Sequence, residues 1–181
     1  WLSPAGLELE GNLNTLGYFS AEVCVGNPAK SFDLIVDTAS FLTAVPCRSC
    51  RQCGVHTSGA AGRYDPKASR TAKSPPRCIR NHGLSTCEYG MDYMEGSSIN
   101  GSIVSDVTYF ARHAQQLNSR NQTPAVVTVR SLFGCQTHES GLFYSQVADG
   151  IGNLLRWHFD EAGRWPTRGL PRALTCKKQR F

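Results

Sequence analysis

The chain has 181 residues, 40% of them hydrophobic and 18% charged, enough apolar sequence for one sizeable core and too little charge for disorder to be its ground state. No apolar run approaches the ~18 residues of a membrane-spanning helix. The net charge of +5 equals that of residues 156–181 alone, so the remainder is neutral and no nucleic-acid-binding surface is expected on the main domain.

The chain begins without an initiator Met or a leader pattern, and so reads as processed or as a fragment. In chain order, "YFSAEVCV" (Tyr18–Val25) alternates as a half-buried strand does, "GNPAK" makes a turn, and "SFDLIVD" (Ser31–Asp37) reads as a buried strand. Asp37-Thr38-Ala39-Ser40 follows at once. An acid at the end of an apolar strand, followed by small residues, is held rigidly where backbone N–H and hydroxyl groups can orient it. Taken alone, the same tetrapeptide also reads as an ordinary Asx-type turn.

From Pro46 to Thr86 apolar periods are few, and five of the eight cysteines fall at Cys47, Cys50, Cys53, Cys78 and Cys87. In "CRSCRQCGVH" the spacing of Cys47, Cys50, Cys53 and His56 suits a tetrahedral metal. It equally suits an oxidised, stapled loop, which so long an irregular segment needs. Disulfides are the favoured reading and no metal is expected; the pairing does not follow from sequence. Cys87–Phe110 reads as a hairpin with a mobile Gly/Asn-rich tip, and "AVVTVRSLFGC" (Ala125–Cys135) as another strand. The polar stretch between them reads as a loop. Asn100-Gly101-Ser102 and Asn121-Gln122-Thr123 are glycosylation sequons if the protein is secretory. The tail from Arg156 has no strand period.

Four motifs in order carry a family resemblance: "GYFSAEVCVGNPAKSFDLIVDTAS", "YDPKASRT" (Tyr64–Thr71), "YMEGSSINGSIVSDVTYF" and "FGCQTHESGLFYSQVADGI". Over most of residues 17–155 the chain resembles the N-terminal lobe of the pepsin-like aspartic proteases. The resemblance implies an all-β fold, a bilobal architecture truncated here to one lobe, with residues 1–155 as the lobe. It implies a Cys-rich insert at about 47–87 and a flap hairpin at about 88–110, leaving 156–181 as a basic, non-homologous tail expected to be disordered. "PCRSCRQCGVH", Glu95 and "FGCQTHESGLF" are similar to the plasmepsin V-like group of export-signal-processing proteases, which share a nepenthesin-type insert.

The resemblance assigns the catalytic loop to Asp37, Thr38 and Ser40, and the flap and substrate contacts to Tyr93, Glu95, Gly96 and Ser97. Gln136 and Glu139, with Gln146 behind them, are further pocket candidates. It supports disulfides among Cys47, Cys50, Cys53, Cys78, Cys87 and Cys135. It implies no cofactor, a peptide or protein substrate, and a secretory-pathway (endoplasmic reticulum or Golgi) or secreted location. Glu95 reads equally as the acceptor of a substrate arginine and as an exposed acid at the hairpin tip.

Three departures bear on activity. No D-T-G or D-S-G triplet follows Asp37; Ala39 stands where the family has glycine; and "ADGIGNLL" fits the family's A-D-G-I-x-G-L only with one residue lost. Catalysis by this mechanism needs two carboxylates, so the partner is expected to be a C-terminal lobe or a second protomer. The alternatives are a homodimeric protease and an inactive single-lobe peptide-binding module.

Overall fold

A computed structural model describes residues 9–75, 80–81, 84–85, 87–110 and 128–153. The expected tail, the polar loop with Asn121, Cys78 and Cys176 lie outside the described residues.

The strands are β1 (Glu10–Asn12), β2 (Tyr18–Val25), β3 (Lys30–Asp37), β4 (Ala44–Pro46), β5 (Arg80–Asn81), β6 (Leu84–Ser85), β7 (Glu88–Asp92), β8 (Ser98–Phe110), β9 (Val129–Glu139) and β10 (Gly150–Asn153). Two single-turn helices, α1 (Gly59–Gly62) and α2 (Leu142–Ser145), complete the described elements. The fold is the all-β one the sequence implies. Apart from the small β5–β6 pair, the strands form one sheet in the order β1-β2-β3-β10-β4-β9-β8-β7. The 13-residue β8 also pairs with β2 at its far end, through Val23↔Phe110 and Val25↔Thr108, so the sheet curls back on itself.

Alternation along the strands divides the core between two faces. Val23, Val25, Phe32, Leu34, Val45, Tyr64, Val104 and Phe133 pack on one side, with Cys47 and Cys135 among them. On the other, Leu42, Ala44, Met91, Ile99, Phe143 and Ile151 are joined by the partly buried Ile35, Tyr89 and Tyr93. β3 serves both faces. It runs antiparallel to β2 (Val23↔Phe32, Ala21↔Leu34) and parallel to β10 (Ile151↔Ile35, Asn153↔Asp37). Asp37 therefore ends a strand that is paired on both edges, which fixes its backbone.

Two glycines are required by close approach. A β-bulge falls between Asn100 and Gly101, where β9 advances from Gln136 to His138. A Cβ on Gly101 would lie 2.1 Å from the Cys135 carbonyl oxygen. At Gly134 a Cβ would lie 2.4 Å from the Tyr89 ring, so Gly134 gives that ring its space.

The strand expected at Ala125–Cys135 is described as β9, Val129–Glu139, with residues 125–127 outside the described set. It runs four residues further because its ladder with β8 continues past the bulge to Ile99↔Glu139. Polar Gln136, Thr137, His138 and Glu139 hide this continuation from an apolar-period reading.

Candidate active site

Asp37 sits at the mouth of a loop that it organises itself. Its Oδ1 accepts the Ala39 N–H at 2.7 Å and its Oδ2 accepts the Ser40 hydroxyl. Ala39 thus keeps the backbone donor a glycine would offer, and its methyl group is solvent-exposed, as is Thr38. Ser40 is buried, and its Oγ is 3.0 Å from the Tyr93 hydroxyl. The single Ser40 proton goes to the carboxylate, so Tyr93 donates to Ser40. The chain Tyr93–Ser40–Asp37 ties the flap to the acid.

The loop is also held from behind. Asn153, level with Asp37 on β10, donates its Nδ2–H to the Ser40 carbonyl, and its N–H reaches Thr43 Oγ1 at 3.0 Å. Sequence reasoning did not single out Asn153. The one-residue loss in "ADGIGNLL" was the available signal, because it shifts a side chain into line with the acid.

β7 and β8 form an antiparallel hairpin at the position expected for the flap. Its turn closes with Tyr93 N–H on the Ser97 carbonyl and Gly96 N–H on the Tyr93 carbonyl, both 2.9 Å, with Gly96 at φ 92°. Met94, Glu95 and Gly96 are exposed at the tip. Ser97 instead points inward, its Oγ accepting the Leu142 N–H at 2.9 Å and tying the end of the hairpin turn to α2. The Tyr93 ring packs on Phe143 with centroids 4.8 Å apart. Burial pushes the Tyr93 phenol up from its ordinary range; its bond to Ser40 opposes this, and the charges of Asp37 and Glu95 add to it.

Gln136 and Glu139 occupy different surroundings. Gln136 is fully buried, and its carboxamide has no hydrogen-bond partner among the described groups. Tyr89, in the same cross-strand row through Gly101, has a buried hydroxyl in the same condition. Burial raises the Tyr89 phenol strongly. Glu139 is 1% exposed and faces the insert, accepting the Gly54 N–H at 3.0 Å and bonded to His56 Nε2 at 2.9 Å. The Gln146 side chain reaches the Ala148 carbonyl at 3.4 Å.

The cysteines pair as Cys47–Cys135 and Cys50–Cys53, with Cα atoms 5.0 and 5.8 Å apart. Cys24 and Cys87 are disulfide-bonded as well. Of the four potential metal ligands, three are thus in disulfides and His56 is bonded to Glu139. Arg63 gathers the insert by donating to the carbonyls of Cys50, Cys53 and Gly54. A cavity of about 300 Å³ opens between the β2–β3 turn and the insert, with Lys30, Ser58, Asp65 and Asp149 among its walls; none of Asp37–Ser40 lines it.

The structure therefore brings Asp37, Ser40 and Tyr93 together, leaves Glu95 and Gly96 at the open tip, and turns Ser97 and Glu139 inward. Residues 19–156 match the family model described as "Xylanase inhibitor N-terminal". The chain is 30% identical over 151 residues to plasmepsin V of Plasmodium falciparum (isolate 3D7), covering 80% of this chain and 24% of that protein. It is 31% identical over 179 residues to aspartic protease 5 of Toxoplasma gondii, covering 88% and 17%. Identity to aspartyl protease family protein 1 of Arabidopsis thaliana is 29% over 152 residues, covering 75% and 28%. The chain spans about a quarter of the length of plasmepsin V. With the family model covering most of its length and an Asp loop under a flap, the chain belongs to the pepsin-like aspartic proteases, as an N-terminal domain of that family.

Proposed function

We propose that this lobe supplies Asp37 to a two-carboxylate centre of an aspartic endopeptidase, completed by a second lobe or a second copy of the chain. The observation that carries this reading is the Tyr93–Ser40–Asp37 chain, in which a flap residue and the acid share one hydroxyl. Two neighbouring carboxylates resist ionising together, so one keeps a proton. The ionised one takes a proton from water as it attacks the peptide carbonyl, and the protonated one hydrogen-bonds the carbonyl oxygen. The flap closes over the substrate and excludes bulk water. Thr38, Ala39 and Phe41, the last 60% exposed, lie on the open side of the loop, where the partner's loop would pack.

The substrate is a protein processed in the secretory pathway at an arginine-containing site, and the disulfides fit an oxidising compartment. The flap supports the preference for arginine. Glu88, Asp92 and Glu95 are exposed on it, and no Lys or Arg occurs between Glu88 and Phe110. Glu95 at the tip receives the guanidinium through charge-assisted hydrogen bonds.

A second reading, a lobe that binds peptide without cleaving it, is favoured by Ala39 at the family's glycine position and by the inhibitor named in the family model's description. One experiment separates the two: cleavage of an arginine-containing fluorogenic peptide against protein concentration, with Asp37→Asn alongside. A homodimeric protease gives activity rising with the square of concentration at low concentration, and Asp37→Asn lowers it by about 10²–10⁴-fold. Peptide binding with no cleavage at any concentration, and none after addition of a candidate C-terminal lobe, establishes the binding module instead.

A further inference from the structure

Residues 52–58 of the insert lie along the end of β9 and the segment leading into β10. The Glu139 N–H bonds the Gln52 carbonyl at 2.8 Å, and the Thr57 N–H bonds the Val147 carbonyl at 2.9 Å. Ser58 gives both its N–H and its hydroxyl to Asp149 Oδ1, at 2.9 and 2.6 Å, and Asp149 Oδ2 accepts the Asp33 N–H of β3 at 2.8 Å. His56 lies within this seam, between Gln146 and Glu139.

Its side chain is 2% exposed and both ring nitrogens face acceptors. Nδ1 is 3.1 Å from the Gln146 carbonyl oxygen, which cannot donate, so Nδ1 carries a proton. Nε2 is 2.9 Å from Glu139 Oε2, and that oxygen already accepts the Gly54 N–H. A carboxylate can only accept, so opposite an ionised Glu139 Nε2 is protonated too and the ring is an imidazolium. We propose that His56 and Glu139 form a protonation-dependent latch that holds the cysteine-rich insert against the catalytic sheet and opens as the imidazolium loses its proton.

The other charged and titratable groups around the ring set its balance. Burial alone lowers the His56 pKa, but the hydrogen bond and charge of Glu139, the Gln146 carbonyl and the charge of Asp149 outweigh it and raise the value. Tyr89 senses Glu139 from the flap side, Arg63 covers the Gly54 carbonyl within the insert, and His138 precedes Glu139 on β9. A histidine whose folded pKa is raised contributes its full stabilisation below its unfolded pKa of about 6.5 and loses it as pH rises through the folded value. The latch is therefore closed in acid and opens toward alkaline pH. Cys50–Cys53 and Cys47–Cys135 hold the upstream part of the insert, so opening is confined to the segment from Cys53 to Ser58.

The test is nitrogen-15 NMR of the His56 ring in the full chain from pH 5 to 9, with amide-exchange protection factors at Gly54 and Thr57 measured in parallel. The ring signal is assigned by its loss in His56→Gln. The expected result is a midpoint above 6.5, with both ring nitrogens protonated below it. Protection should fall at that midpoint, about tenfold for each unit separating the folded and unfolded pKa. Glu139→Gln should lower the midpoint. If that variant does not fold, the wild-type titration decides alone. A ring nitrogen unprotonated throughout, as when a neutral imidazole accepts from a protonated Glu139, overturns the latch; so does protection that is flat with pH.

Discussion

The flap hairpin and the cysteine-rich insert are attached to one sheet by different means. The flap is held by strand pairing and apolar packing: β7 and β8 are laddered from Glu88↔Ser102 to Asp92↔Ser98, and Met91, Ile99 and Tyr93 pack beneath them. Beyond the ladder Tyr93 and Ser97 still reach Ser40, Phe143 and Leu142, while Met94, Glu95 and Gly96 are exposed. The insert has no strand of its own from Cys47 to residue 75, and makes isolated bridges at Cys47↔Tyr64, Gln52↔His138 and Lys73↔Ser105. Disulfides, the Arg63 guanidinium and buried carboxylates hold it instead. The flap's arrangement permits motion at one end, since ladder bonds end where the turn begins. The insert's arrangement confines motion to the segment after Cys53, because beside its backbone hydrogen bonds it is held by disulfides and by buried carboxylates that would be left unpaired if their ties broke.

The largest effect that would test this contrast comes from the disulfides. Cys47–Cys135 closes a loop across a sequence separation of 88, whereas Cys50–Cys53 spans three. On the chain-entropy model their removal as double alanine variants costs about 4.5 and about 2 kcal/mol, read from urea midpoints. Equal costs would mean that the insert's order comes from its ionic ties. Next is Tyr93→Phe, which removes the donor to Ser40 but keeps the ring on Phe143. It should cost about 1 kcal/mol or less in stability, and its larger effect should fall on kcat. A loss as great as that of the long disulfide would make the flap an anchored element. The smallest effect on folding belongs to Glu95→Gln at the exposed tip, within about 0.5 kcal/mol. Binding of an arginine-containing peptide should nonetheless weaken by about tenfold or more, the value of one charge-assisted hydrogen bond. Unchanged binding, measured by calorimetry, would remove Glu95 from substrate recognition.

How far each region was legible follows from the range of the interactions involved. Alternation in Tyr18–Val25 and the Leu-Ile-Val run before Asp37 are local properties, and both became strands. The Asp37 loop is also short-range, since its acid, the Ala39 N–H and the Ser40 hydroxyl lie within four residues. The hairpin followed from two strand patterns, but its tip was expected at Gly96, Asn100 and Gly101, and Asn100 and Gly101 lie within β8 because their ladder with β7 continues through them. In the insert, the spacing of Cys47, Cys50, Cys53 and His56 was compatible with a metal and favoured a staple, but left the pairing open, because spacing records what neighbours can do together and says nothing of distant partners. Cys47 pairs with Cys135, and His56 with Glu139, each more than eighty residues away. Glu139 shows the point from the other side: an acid near a family motif reads as a pocket residue until its burial against Gly54 and His56 is known.

The sequence by itself determined the class of fold, the position of the candidate acid and the existence of a stapled insert, since strand period, motif order and cysteine content are properties of the chain read along its length. Only the tertiary structure decided which cysteines join, that Asn153 comes level with Asp37, and that Glu139 faces His56. Those depend on register between distant strands and on which groups water can no longer reach, and a residue's neighbours in sequence do not specify either.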